Sequence, residues 1–132
     1  MEKIVMVIEK SSDHYGAYSE NCDGIYAAGK NVEAVKADTF EAIRLIKKNL
    51  PESRWPEQIK GDYEIEWKME VPSFLEYYSS FMSLAGMEKM TGINQKQLSN
   101  YLNRRTTPRK KQSDRICEGI HRFAEELLSI TL

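Results

Sequence analysis

Long apolar runs are missing from this chain of 132 residues; the run from Ile4 to Ile8 covers five positions and returns at once to Glu9-Lys10. A membrane span needs about 20 consecutive apolar residues and a secretory leader about 7–15. Neither is expected, and the protein reads as cytoplasmic, with no membrane partner. Cysteine is equally scarce. Cys22 and Cys117 lie far apart, show no CxxC spacing and have no histidine read in ligand register, which argues against a disulfide framework and a zinc site. Glycine-rich phosphate loops and dinucleotide fingerprints are absent. His14 and His121 have no triad partner in sequence, so neither catalysis, a cofactor nor a metal is expected. Glu9, Asp13, Glu20, Asp38 and Glu41 supply carboxylates of the kind two-metal nucleases use, but their spacing gives no reason for them to converge.

What is present is material for a core, with 41% hydrophobic residues against 30% charged. The net charge of −1 hides an asymmetry: residues 1–70 carry 10 basic and 14 acidic side chains, and residues 71–132 carry 9 and 6. Between Lys89 and Arg115, eight cations (Lys89, Lys96, Arg104, Arg105, Arg109, Lys110, Lys111 and Arg115) face only Asp114. Such a block is either a solvated surface or a site for a polyanion.

Hydrophobic patterning divides the chain at the same place. Lys3 to Glu9 reads as a buried strand, Tyr15 to Ser19 and Ile25 to Ala28 as short strands, and Tyr63 to Met69 as a half-buried strand by its alternation. Asn31 is placed to cap a helix that ends at Pro51, with Val35, Ala42, Ile43, Ile46 and Leu50 inward. The expected fold is α+β: a β-β-β-α-β domain over residues 1–70, then an all-α domain over residues 71–132. In the latter, Phe74, Tyr78 and Phe81 share a face and Ser83 caps a helix broken at Gly92. Asn94 starts another helix, Arg104 to Lys111 forms a basic loop, and a last helix from Ser113 turns Ile116, Ile120, Phe123 and Leu127 inward.

The stretch from Met87 to Leu102 has the layout of a helix-turn-helix, with Met87, Ile93, Leu98 and Tyr101 as packing positions and Gly92 for the tight turn. Gln95, Lys96 and Asn100 then form a polar face near the start of the second helix. Glutamine and asparagine amides can pair with adenine, and lysine can donate to guanine or phosphate. Asn94, Ser99, Arg104, Arg105, Arg109, Lys110 and Lys111 lie where backbone phosphates would run. The same residues would also serve as an ordinary solvated helix surface.

Leu84 through Pro108 resembles the phage-repressor (Xre-type) helix-turn-helix. With Phe81, Thr91-Gly92-Ile93-Asn94, Gln97-Leu98-Ser99 and Thr107-Pro108-Arg109, the wider stretch is similar to the C-terminal domain of HicB-family antitoxins. Glu88 stands where that motif usually has a small residue. Tyr15 to Glu20, Asp23 to Gly29 and Asn31 to Val35 resemble the N-terminal domain of the same family, of partial ribonuclease H-like fold, with Glu20-Asn21-Cys22-Asp23 in place of its usual proline-aspartate.

The resemblance implies an antitoxin that represses its own operon. Its partners would be operator DNA, bound as a homodimer or higher homo-oligomer, and a small basic HicA-like toxin that cleaves messenger RNA. Glu9, Asp13, Glu20, Asp23 and Asp38 would meet the toxin's basic face, and Tyr15, Tyr18 and Tyr26 would anchor it. Expected dimer surfaces are the Tyr63-Ile65-Trp67 edge and the last helix with Leu128, Ile130 and Leu132. The alternative is a DNA-binding repressor with a ligand-sensing N-terminal domain; a neighbouring gene for a small basic protein separates the two.

Overall fold

The computed structural model describes all 132 residues, in a mixed α+β architecture of two compact units, Met1–Glu70 and Val71–Leu132. The first unit is a four-stranded sheet of order β3-β2-β1-β4 with one helix. Its strands are β1 (Glu2–Lys10), β2 (Tyr15–Ser19), β3 (Tyr26–Gly29) and β4 (Tyr63–Met69), and its helix is α1 (Val32–Asn49). β1 pairs antiparallel with β2 and parallel with β4, while β2 pairs antiparallel with β3.

Side chains alternate across a strand, so the register sorts the sheet into two faces. Ile4, Met6 and Ile8 are fully buried, in register with Ile65, Trp67 and Met69 on one side; Ile8 and Lys10 are in register with Ala17 and Tyr15 on the other. α1 covers this face with Val32, Val35, Thr39 and Ile43. The buried Thr39 hydroxyl donates to Val35 O at 2.9 Å, which satisfies it without a distant partner. Ala42 and Leu50, expected inward, are half-buried. Val5 and Val7 are half-buried as well, so β1 is covered on one face and not on both as its unbroken apolar run suggests.

Side chains complete the backbone pairing. β2 stops at Ser19, and beyond it the Asn21 side chain continues the ladder: Oδ1 accepts from Val5 N at 2.9 Å and Nδ2 donates to Lys3 O at 2.7 Å. At the outer edge of β3, Ala28 N donates to Asp38 Oδ2 at 2.9 Å, which closes a group that an edge strand would leave open. Asn31 caps α1 by accepting from Ala34 N at 2.8 Å.

The second unit contains α2 (Val71–Tyr78), α3 (Leu84–Thr91), α4 (Gln95–Leu102) and α5 (Lys110–Leu128). Its core is Leu75, Met87, Ile93, Leu98, Tyr101 and Ile116, which includes all four expected packing positions around Gly92. Phe81 lies beyond the end of α2 and is 73% exposed, yet its ring stays 6.0 Å from Tyr78, which in turn meets Phe74 at 4.8 Å. Leu127, expected inward, is 55% exposed at the end of α5. The α3–α5 contact is close because Gly119 faces the end of α3: a Cβ there would stand 2.8 Å from Thr91 Cα, against backbone that cannot yield.

Two stability measurements check these contacts. Gly119→Ala is expected to destabilise the second unit by about 1–3 kcal/mol through overpacking, read as a lower urea midpoint. Cys22 is 2% exposed and burial raises its thiol pKa, whereas Cys117 is exposed. A thiol reagent should therefore modify Cys117 at once and Cys22 only when the first unit opens. Asn21→Ala, which leaves Val5 N–H and Lys3 C=O without that partner, should accelerate Cys22 labelling by about 5- to 150-fold, from roughly 1–3 kcal/mol of lost pairing. Unchanged labelling would mean that water replaces the Asn21 amide without penalty.

Candidate functional site

The residues of interest lie along α4 and the segment that follows it. α3 ends at Gly92, whose φ of +73° is the left-handed conformation that glycine adopts freely, and α4 restarts three residues later. Several bonds fix this turn. Thr91 Oγ1 accepts from Ile93 N at 3.1 Å and donates to Met87 O at 2.8 Å. Arg115 Nη2, on α5, donates to Gly92 O at 2.8 Å, and Arg122 Nη2 reaches Met90 O at 3.4 Å. Two cations thus meet the carbonyl end of α3, where the helix dipole favours them. Arg115 belongs to this internal contact rather than to a free basic surface.

The start of α4 is capped twice. Asn94 Oδ1 accepts from Lys96 N at 2.7 Å, and Glu88 Oε1, reaching across from α3, accepts from Gln95 N at 2.6 Å. At about 100° per residue, Gln95, Lys96, Ser99, Asn100 and Asn103 fall within roughly 140° of arc, opposite Leu98 and Tyr101. Gln95 and Lys96 are exposed, and Ser99 and Asn100 are half-buried. Asn100 makes two long bonds, from Arg105 Nη1 at 3.4 Å and to Gln97 Oε1 at 3.5 Å, so its amide is held loosely enough to be exchanged for another partner. Ser99 Oγ accepts from Asn103 Nδ2 at 3.3 Å, and Asn94 is occupied as a cap.

Beyond α4 the cations stand in unusual places. Arg104 has φ of +59°, a left-handed conformation at a helix end where glycine is the ordinary occupant. Arg105 and Arg109 are exposed. Lys110 and Lys111, expected in a loop, form the first turn of α5, which begins three residues earlier than the sequence suggests. Arg109 is the N-cap of α5 and makes no side-chain cap bond, and no acid lies in the first turn. Three cations therefore crowd the positive end of a helix. Lys110 is offset by Asp114 at 2.9 Å, which raises the ammonium's pKa.

In the first unit, the face of the sheet away from α1 carries Tyr26, Tyr18, Val7 and Lys68 in one cross-strand row. Tyr26 is 71% and Tyr18 41% exposed. Glu9, Glu64 and Glu66 lie on the same face by register and are exposed; the parallel β1–β4 pairing, which sequence spacing does not reveal, sets Glu64 beside Lys3 and Glu66 beside Val5. Glu20 pairs with Lys68 at 3.2 Å. Asp13, in the turn before β2, pairs with His14 at 2.7 Å, and that hydrogen bond and charge lower its carboxyl pKa. Asp23 is exposed in the turn before β3.

Tyr15 departs from expectation. It lies on the α1 face, is 6% exposed and has Lys10 Nζ over its ring at 5.5 Å, so it is a core residue and not a surface anchor. Tyr63, Ile65 and Trp67 are half-buried on edge strand β4, and two of them meet side chains of α1. Trp67 meets Phe40 edge-on at 6.2 Å and Lys36 Nζ at 5.4 Å, and Lys47 Nζ lies 5.6 Å from the Tyr63 ring. At the end of α5, Leu127, Leu128, Ile130 and Leu132 are 55–115% exposed. Cys117 and His121, read as out of ligand register, face each other on α5 at 3.8 Å. No cluster of three or more potential metal ligands forms in the structure. No helix is long and apolar enough to cross a membrane.

Two features of this site oppose stability, and substitutions should expose them. Arg104→Gly is expected to stabilise the second unit by about 1 kcal/mol, since left-handed backbone costs an ordinary residue roughly 1–2 kcal/mol. Lys111→Glu should add about 0.3–1 kcal/mol by matching the α5 dipole. Both would appear as higher unfolding midpoints, and a fall for either would remove the electrostatic or backbone argument behind it. In comparisons with protein-family models, with curated proteins and with solved structures, nothing matches the chain.

Proposed function

We infer that the chain is the antitoxin of a toxin–antitoxin pair and represses its own operon. The second unit binds operator DNA as a dimer through a helix-turn-helix formed by α3 and α4. The first unit, in this reading a partial ribonuclease H-like domain, masks a small basic HicA-like toxin that cleaves messenger RNA.

One observation carries the DNA-binding part. Directly after a helix with an exposed polar face, the chain keeps Arg104 in left-handed backbone and Arg109, Lys110 and Lys111 at an uncapped helix N-terminus. Both arrangements oppose folding, and both suit a polyanion, whose phosphates would meet the cations and the free amides together. Gln95, Lys96 and Asn100 are then the base-reading residues. Arg104, Arg105, Arg109, Lys110 and Lys111 are the backbone contacts, with Asn94 and Ser99 fixing the helix that presents them. The toxin-masking part draws on the family resemblance together with the open sheet face, where Tyr18 and Tyr26 offer aromatic contact on the same face as Glu9, Glu64 and Glu66. The exposed leucines and isoleucine at the end of α5 form the dimer contact in this reading.

Binding to duplex DNA should weaken with salt by a log–log slope of about 0.9 per neutralised phosphate. Arg104→Gly with Lys111→Glu should flatten that slope while raising thermal stability. Gln95→Ala or Asn100→Ala should cost roughly 1–3 kcal/mol at particular base pairs and leave the slope unchanged. An unchanged slope in the double variant would refute the backbone contacts. For the partner, the full chain should block RNA cleavage by the small basic protein encoded beside its gene. Tyr26→Ala with Glu9→Lys should release that block without affecting DNA binding, and a variant that still blocks cleavage would remove the open face from the interface.

A further inference from the structure

Glu88 stands half-buried on α3 with its carboxylate against the first turn of α4, where Oε1 accepts from Gln95 N at 2.6 Å. Helix geometry leaves the first amides of α4 without internal partners, and they carry the positive end of the helix dipole. Asn94 satisfies the next amide, Lys96 N, with a neutral side chain. Glu88 satisfies Gln95 N with a full negative charge, beside the two exposed side chains that lead the polar face of α4. In a helix set against nucleic acid, an open N-terminal amide takes backbone phosphate, and phosphate contacts carry no sequence information directly.

We propose that Glu88 is a specificity-determining positioning residue for α4: its carboxylate occupies the Gln95 amide that a backbone phosphate would otherwise take. This rests on the DNA-binding reading above. The charge repels phosphate wherever α4 lies on DNA, and so lowers affinity for every sequence. The hydrogen bond holds the Gln95 backbone fixed, and so preserves the part of binding that comes from base edges. Glu88 thereby raises the ratio of specific to non-specific binding at the expense of affinity.

The test uses the full-length chain, Glu88→Gln and Glu88→Ala, with a mixed-sequence duplex and a duplex enriched from a randomised pool by the unaltered protein. Glu88→Gln keeps an acceptor and removes the charge. It should bind the mixed-sequence duplex about threefold tighter, as expected for one charge removed several ångströms from phosphate in water. Its salt slope should steepen by up to about 0.9, and its preference for the enriched duplex should narrow. A cap with only a structural role predicts the opposite sign, with weaker binding to both duplexes in step with a lower thermal midpoint, and that result overturns the proposal. Amide exchange at Gln95, measured without DNA, should be about tenfold faster in Glu88→Ala than in the unaltered chain. Equal rates would show that the carboxylate does not hold the amide, and the proposal would fall whatever the DNA result. If exchange responds but the unaltered chain binds neither duplex in a salt-dependent way, the DNA-binding reading fails and Glu88 reduces to a helix cap.

Discussion

Backbone groups orphaned at the ends of strands and helices are the constraint on which both units depend, because each must find a partner once water is excluded. The polar side chains that answer it decide where elements stop and how they meet. Asn21 continues the pairing of β1 after β2 has ended, and Asp38 closes an amide on the outer edge of β3. Asn31, Ser83 and Asn94 cap three helices, and Glu88 joins one helix to the start of the next. Arg115 and Arg122 answer carbonyls at the end of α3. Remove these side chains and the apolar faces would still attract one another, but their register and crossing would be poorly specified.

Stability is distributed unevenly within the second unit. Around Gly119 and the buried cluster of Met87, Ile93, Leu98 and Tyr101, packing is close and local preferences agree with it. Between the end of α4 and the start of α5 they conflict: a left-handed arginine stands where glycine is favoured, and cations sit at the wrong end of a helix. Local conflict beside a well-satisfied core is the pattern that functional sites leave in folded proteins.

Much of the fold is legible in the residues themselves. Asn31 and Pro51 bracket α1, and the spacing of Met87, Gly92, Ile93, Leu98 and Tyr101 gives the α3–α4 turn and its buried positions. The departures share a cause, since each depends on a parity or boundary that composition does not carry. Tyr15 and Tyr18 are three apart on one strand and must face opposite ways, so by the period of two they cannot both be surface anchors. The run from Ile4 to Ile8 conceals its alternation because the valines on the open face are as apolar as the residues beneath α1. A start for α5 at Ser113 leaves the cations of its first turn in a loop, whereas the helix begins at Lys110. In the sequence Glu88 is no more than a departure from a motif. Its role as a cap depends on the crossing of two helices, which no one-dimensional spacing records.

The position of β1 in the sheet has a consequence for how the chain leaves the ribosome. β1 is synthesised well before its parallel partner β4, since Glu2 is aligned with Tyr63 and Ile8 with Met69. β2 follows closely and can shield one side of β1 within a hairpin. The other side stays unpaired until α1 and its connection have been synthesised. For that interval a β-rich apolar segment with an open edge is exposed, and its pairing depends on a contact distant in sequence. The second unit also joins elements that are not neighbours in sequence, α2 with α4 and α3 with α5, but a helix satisfies its own backbone while it waits, so the open edge of β1 is a hazard of the first unit alone.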